Sequence, residues 1–171
     1  YGGMRQMTEY LIGQGHNRIG FITGSAAAFD AAERFRGYRE AIQLAGLPVD
    51  EDLVVQGEFT QQAGFEGARR LLSLSEPPTA IMASNDVAAI GALSAIRESG
   101  LRVPEDVALT GFDDIPSSSF TFPPLTTVHV PISELGKRSV RLLSSAIAAH
   151  GTSDRILSEK LPVELRLRAS A

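Results

Sequence analysis

Two polar clusters, Ser84-Asn85-Asp86 and Asp113-Asp114, carry the residues best suited to hold a small molecule. Each follows a short apolar run. Thr79-Ala80-Ile81-Met82-Ala83 reads as a buried strand that ends at Ser84, and Val107-Ala108-Leu109-Thr110 as the next, with Asp113-Asp114 hanging off its carboxyl end. In open α/β sheets, ligands sit just outside the carboxyl ends of strands. A carboxylate accepts two hydroxyl hydrogen bonds at once, and an Asn offers both a donor and an acceptor. Asn85 and Asp86 are also ordinary helix-start residues, and spacing alone favours capping. Asp113-Asp114 reads equally as a turn or as a ligand-facing acceptor. No metal is expected there, because hard cations want about six or more oxygens and no third carboxylate lies nearby in sequence. Arg34 precedes Gly37 near a helix start, where a solvated face is the usual fate. Phe59 sits in the polar loop Gly57-Glu58-Phe59-Thr60, either as a stacking platform or tucked back into the core.

The elements that must position these residues alternate along the chain. Helices are expected over 3–14, 31–45, 61–74, 85–99 and 133–150, from apolar residues at helical spacing. Met4, Met7 and Leu11 mark the first; Phe35, Tyr38, Ile42 and Ala45 the second; Phe65, Ala68 and Leu72 the third. Ile90, Leu93 and Ile96 mark the fourth, and Val140, Leu143 and Ile147 the last, with Ser133 as its cap and Gly151 as its stop. Strands are expected at 18–23, 53–55, 79–83, 107–110 and 125–130. Two more candidates lie in 156–168, split near Lys160 to Pro162, the last alternating Val163 and Leu165 against Glu164 and Arg166. Residues 115–124 read as a loop rich in Pro, Ser and Phe. Strand–helix alternation with short loops demands crossovers. The fold class is therefore α/β, a doubly wound, mostly parallel sheet flanked by helices.

The bulk composition narrows the function classes. A chain of 171 residues with 43% hydrophobic content can bury a core of one domain or slightly more. Its net charge of −4, without a long basic run, argues against nucleic-acid or anionic-membrane binding by these residues themselves. Absence of cysteine removes disulfide and thiolate chemistry. No phosphate-binding glycine loop, nucleophile elbow or zinc-protease motif occurs, so no enzyme and no cofactor are expected. His16, His129 and His150 are scattered in sequence, and His16 and His150 flank helix stops. The chain opens on Tyr1 without a signal-like segment and reads as part of a longer protein.

Jointly, several motifs resemble the carboxy-terminal half of the lactose/galactose-repressor family. They are Ala83-Ser84-Asn85-Asp86 with Ala89-Ile90-Gly91-Ala92-Leu93, the run 101–107 (Leu-Arg-Val-Pro-Glu-Asp-Val), Gly111-Phe112-Asp113-Asp114 and Pro123-Pro124-Leu125-Thr126-Thr127-Val128. The segment 11–22 and the Arg34-Phe35-Arg36-Gly37-Tyr38 helix agree with them. The resemblance implies a periplasmic-binding-protein-like type I fold, with two α/β subdomains and an effector in the cleft between them. Residues 1–126 would be the second subdomain. Residues 127–155 would be a hinge crossing and a helix of the first subdomain, and 156–171 the returning strand. Effector contacts then fall on Arg34, Phe59, Asn85 and Asp113, with Thr23, Gly24 and Phe29 expected to line the cleft and Asp86 to cap its helix. Val130 departs from the family pattern, standing apolar near a position that is polar in some relatives. The implied protein is a cytoplasmic, dimeric transcription regulator that binds a small effector, a sugar ahead of a purine. It would reach operator DNA through an amino-terminal helix-turn-helix outside this chain. Interface candidates are the helix from Asn85 and the loop 115–122; the small residues Ala88, Ala89 and Ala92 would allow close approach there, and core packing accounts for them equally well. The alternative is a periplasmic solute-binding protein of the same fold.

Overall fold

The computed structural model describes residues 1–148 and 158–171. Four parallel strands form the central sheet in the order β2-β1-β3-β4: β1 Ile19–Ile22, β2 Val54–Val55, β3 Ala80–Ala83 and β4 Ala108–Thr110. Burial on both faces explains why β1, β3 and β4 read as continuous apolar runs rather than alternating ones. On one face lie α1 (Gly2–Gly13) and α2 (Phe29–Leu44). They bury Met4, Met7, Leu11, Tyr38 and Ile42 against Phe21 and Met82. On the other lie α3 (Gln61–Leu72) and α4 (Asp86–Glu98), which bury Leu71, Leu93 and Ile96 against Ile22, Ile81 and Leu109.

Ala88, Ala89 and Ala92 are buried in this second core, so they serve packing and not an interface with another copy. The close approach they permit is to α3. A Cβ on Gly64 would overlap the backbone carbonyl of Ala88, and one on Gly91 would overlap that of Gln61. Two helices thus touch backbone to backbone at reciprocal glycines. Ile90, expected inward, is only half-buried, while Ala45 is exposed beyond the end of α2.

The strand expected at 53–55 is shorter than its pattern, because Glu51–Leu53 winds into a single 3-10 turn capped by Asp50. Another such turn, Pro116–Phe120, sits within the expected loop. The strand β5 (Thr127–His129) continues the sheet beside the residues that follow β4. Gly111 donates to the Thr126 carbonyl at 3.0 Å and Asp113 to that of Val128 at 2.9 Å. β6 (Glu164–Arg166) pairs antiparallel with β5, with Leu165 opposite Val128. Beyond β6 the chain laces back between β4 and β5. Leu109 donates to the Ser170 carbonyl, Ser170 Oγ donates to the Leu109 carbonyl, and Thr126 N–H donates to Ser170 Oγ.

The last helix, α5, runs from Ile132 to Ala148 among the described residues. It begins one residue before the expected cap, so Ser133 lies in its first turn. The expected stop at His150 and Gly151, and the strand candidate beginning at Ile156, lie outside the described residues.

Candidate functional site

The strand order places a switch point between β1 and β3, whose connections leave in opposite directions. This is where doubly wound sheets open a ligand crevice. Thr23 and Gly24 follow β1 there, Ser84 and Asn85 follow β3, and Gln56 and Gly57 follow β2. Gln56 Nε2 donates to the Gly24 carbonyl at 2.7 Å and to that of Gly57 at 2.9 Å, and the Thr23 hydroxyl accepts from the Gly57 N–H at 3.2 Å. The rim is thereby stitched from side chain to backbone.

Arg34 rises from the second turn of α2 into this crevice. Its guanidinium donates to the Ser84 carbonyl and, at 3.0 Å, to Asp30, one helical turn earlier. Its carbon lies 4.2 Å from the Phe112 ring centroid and 5.5 Å from that of Phe59. Flat cations favour such faces over bulk water. Asp113 stands 3.5 Å away across the crevice. The Phe59 ring lies directly against Gly24, and its carbonyl accepts from Asn85 Nδ2 at 3.1 Å. Arg34, Phe59, Asn85 and Asp113, four residues spread over 80 positions of sequence, are thus connected by contacts in one cluster. Thr23 and Gly24 border it. Phe29, at the start of α2, is 82% exposed.

The two carboxylates of the 113–114 pair divide their work. Asp114 is the structural one. It accepts from Arg168 Nη2 at 2.6 Å and pairs with His129 Nδ1 at 2.9 Å, which ties the turn to β5 and to the chain's last residues. Burial acts to raise its pKa, but Arg168 and His129 together hold it below the ordinary carboxylate range. Asp113 is the open one, with Arg34 as its ion-pair partner. Burial raises its pKa, only partly offset by Arg34, and Asp30 adds to the rise. A neutral hydroxyl-bearing ligand would complete the acceptor sites of such a carboxylate.

Asn85 settles as the helix cap. Its Oδ1 accepts from the Ala88 N–H at 2.9 Å, and its amide reaches Phe59. The cap expected at Asp86 is therefore misplaced by one residue. Asp86 is the first residue inside α4, and its carboxylate points away to the Ile115 N–H at 2.9 Å and the Thr127 hydroxyl at 2.5 Å. Asn sits naturally at the half-extended cap position, here φ −150° and ψ 169°.

Among the described residues, three non-glycine residues have positive φ: Phe59 at 59°, Asp113 at 111° and Asp114 at 59°. All three belong to the site. Such conformations cost of order 1–3 kcal/mol each and persist only where the surroundings over-determine them. Sequence reasoning missed Phe112 as the floor beneath Arg34, and Gln56 as the stitch of the rim. It also missed the Asp30–Arg34 pair, whose i,i+4 spacing was a legible signal. Asp113 also borders a cleft of about 690 Å³ that runs under the first turn of α5, past Val130, Pro131, Glu134 and Lys137. Among the described residues, no helix is long and apolar enough to cross a membrane. No group of three or more acidic or His side chains there could hold a metal ion.

A parallel sheet flanked by helices, with a polar cluster at its switch point, defines a doubly wound α/β domain of the ligand-binding kind. The chain belongs to the periplasmic binding protein-like domain family, whose model matches residues 8–171. It is 43% identical over 163 residues to the HTH-type transcriptional repressor PurR of Pasteurella multocida, covering 95% of this chain and 48% of that protein. Among solved structures, the transcriptional regulator CelR in complex with cellobiose superposes with a TM-score of 0.94 at 39% identity, over 99% of this chain and 51% of that one. A regulatory protein of the LacI family from Chloroflexus aggregans superposes with a TM-score of 0.88 at 42% identity, over 99% of this chain and 60% of that one. The resemblance to the lactose/galactose-repressor family is borne out. These relatives are transcriptional regulators, and the chain spans about half the length of the curated relatives it matches.

Proposed function

We propose that this chain is the effector-sensing half of a cytoplasmic, dimeric DNA-binding regulator, and that Arg34, Phe59, Asn85 and Asp113 contact the effector. The observation that carries this is Asp113. It is a mostly buried carboxylate held at a strained φ, facing an arginine that itself lies over two aromatic rings at the switch point, and left with open acceptor sites. Charged groups in a water-excluded cleft form hydrogen bonds worth roughly 1.5–3 kcal/mol each. The carboxylate, the planar donor fork and the ring suit the hydroxyls and apolar face of a sugar. The cellobiose held by the CelR neighbour supports a sugar, and the PurR relatives keep a purine as the second reading.

In this reading residues 1–126 form one lobe, 127–155 cross to the other, and 156–171 return. Effector closes the lobes and favours one hinge state. That state sets the spacing of a helix-turn-helix pair over operator half-sites. Coupling is reciprocal, so operator and effector change each other's affinity by one factor. Phe120 and Phe122, 86% and 79% exposed on the loop after β4, are where a second copy would seat.

The test is calorimetric titration of the full-length protein with a panel of mono- and disaccharides and, separately, purine bases. Asp113→Ala should abolish binding of whichever compound the wild type takes, with an unchanged thermal midpoint. An unchanged affinity would remove Asp113 from the site, and binding of purines alone would overturn the sugar class.

A further inference from the structure

Asp86 is fully buried, and its carboxylate bonds Ile115 and Thr127, with Asn85 serving as the cap of the helix that Asp86 begins. The Asp86 contacts bracket Asp113. The Asp86 N–H donates to the Phe112 carbonyl at 2.8 Å, one residue before Asp113. Oδ2 accepts from the Ile115 N–H at 2.9 Å, two residues after it. Oδ1 accepts from Thr127 Oγ1 at 2.5 Å, at the start of β5, whose next residue, Val128, accepts the Asp113 N–H at 2.9 Å. Thr127 is itself fully buried. Gly111 completes the arrangement: a Cβ there would overlap Oδ1, so glycine serves space at this position.

A buried carboxylate is retained against a desolvation penalty, and a solvent-facing cap would avoid it. Two of these bonds meet the turn in which the consecutive non-glycine residues Asp113 and Asp114 hold positive φ, and the third meets the strand beside it. Asp114 is fastened separately, by Arg168 and His129. Neither of those contacts fixes where Asp113 stands relative to α4 and Asn85.

We propose that Asp86 is the positioning residue of the effector wall: it clamps the 111–115 turn and the start of β5 to the tip of α4, and so sets the Asp113 carboxylate opposite Arg34. Its functional meaning rests on the reading of Asp113 as an effector contact, but its geometric content does not. Because Thr127 heads the crossing strand, the same carboxylate joins the wall to that strand as one moving unit.

The test uses the full-length protein, with crystal structures and amide hydrogen exchange of the wild type, Asp86→Ala, Asp86→Asn and Thr127→Val. In Asp86→Ala, Asp113 should leave its positive φ and lie beyond ion-pair distance of Arg34. Exchange across 111–116 should rise at least tenfold, while α2 and α3 stay protected. Asp86→Asn, which can still accept from Ile115 and donate to Thr127, should restore both readouts. Should Asp86→Ala fail to fold, Thr127→Val removes one anchor isosterically, and a displaced Asp113 with faster exchange at 111–116 is expected there too. An unmoved Asp113 in every variant that folds overturns the proposal. Failure of the wild type to bind any sugar or purine would sink the effector reading alone, since these readouts need no ligand.

Discussion

Asp86 also titrates in an informative way. Burial, opposed by its bonds to Thr127 and Ile115 and reinforced by Asp113 and Asp114, pushes its pKa up from 3.8 to about 6. A carboxyl whose folded value exceeds its unfolded one binds its proton more tightly when folded. Stability from this group is therefore greatest below pH 3.8, falls as pH rises from 3.8 to 6, and stays low above. At pH 7 its ionised form disfavours the fold by roughly 3 kcal/mol relative to the protonated one. Asp86→Asn is neutral throughout. Urea unfolding should show the wild type gaining stability relative to Asp86→Asn as pH falls from 7 to 4.5, by roughly 2 kcal/mol. A difference independent of pH over that range would mean that Asp86 is not raised. Asp114, whose pKa is depressed, acts oppositely and loses its contribution as pH falls through its folded value, below the ordinary carboxylate range.

Among the elements, α3 and α4 depend on having no side chain at two points. Each Cβ would meet backbone, not the far end of a flexible side chain. The helices would have to part, and overpacking of this kind costs about 1–3 kcal/mol. Gly64→Ala should lower the urea midpoint accordingly, despite the higher helix propensity of Ala; an unchanged or raised midpoint would show that the helices separate freely. The element pattern was largely legible in the sequence, because helical stripes such as Met4, Met7 and Leu11, and continuous apolar strands, each reflect one local periodicity. Residue roles were less so. Thr127 and Ile115, 41 and 29 residues from Asp86, decide where its carboxylate points, and no local pattern encodes that choice. Asn85 and Asp86 are both good caps by type. Tertiary partners assigned one to the helix and the other to the turn. For Asp113 and Asp114, identical in chemistry and adjacent, Arg34 lies nearest one and Arg168 nearest the other.

At the scale of the whole molecule, α5 is the element out of balance. None of its described residues is buried, and Ile132, Val140, Leu143 and Ile147 are each more than 60% exposed. An apolar stripe of this kind wants a cover. In the proposed two-lobed protein, the other lobe supplies both that cover and the second wall of the cleft. The 171-residue chain alone should then bind effector at least tenfold more weakly than the full-length regulator, measured by side-by-side titration. Equal affinities would place the whole binding site within this lobe.

The strap formed by the final residues has a further consequence, one of timing. Ser170 bridges β4 and the segment before β5, yet it is made 61 residues after Leu109. At ribosomal rates of about 5–20 residues per second, those 61 residues take roughly 3–12 s to make. Until then β4 is an unfilled sheet edge, open to pairing with neighbouring nascent chains. Much of the sheet can assemble during translation, but its margin closes only after synthesis reaches the strap. Slow codons between Thr110 and Arg168 would therefore lengthen the interval in which this chain can aggregate.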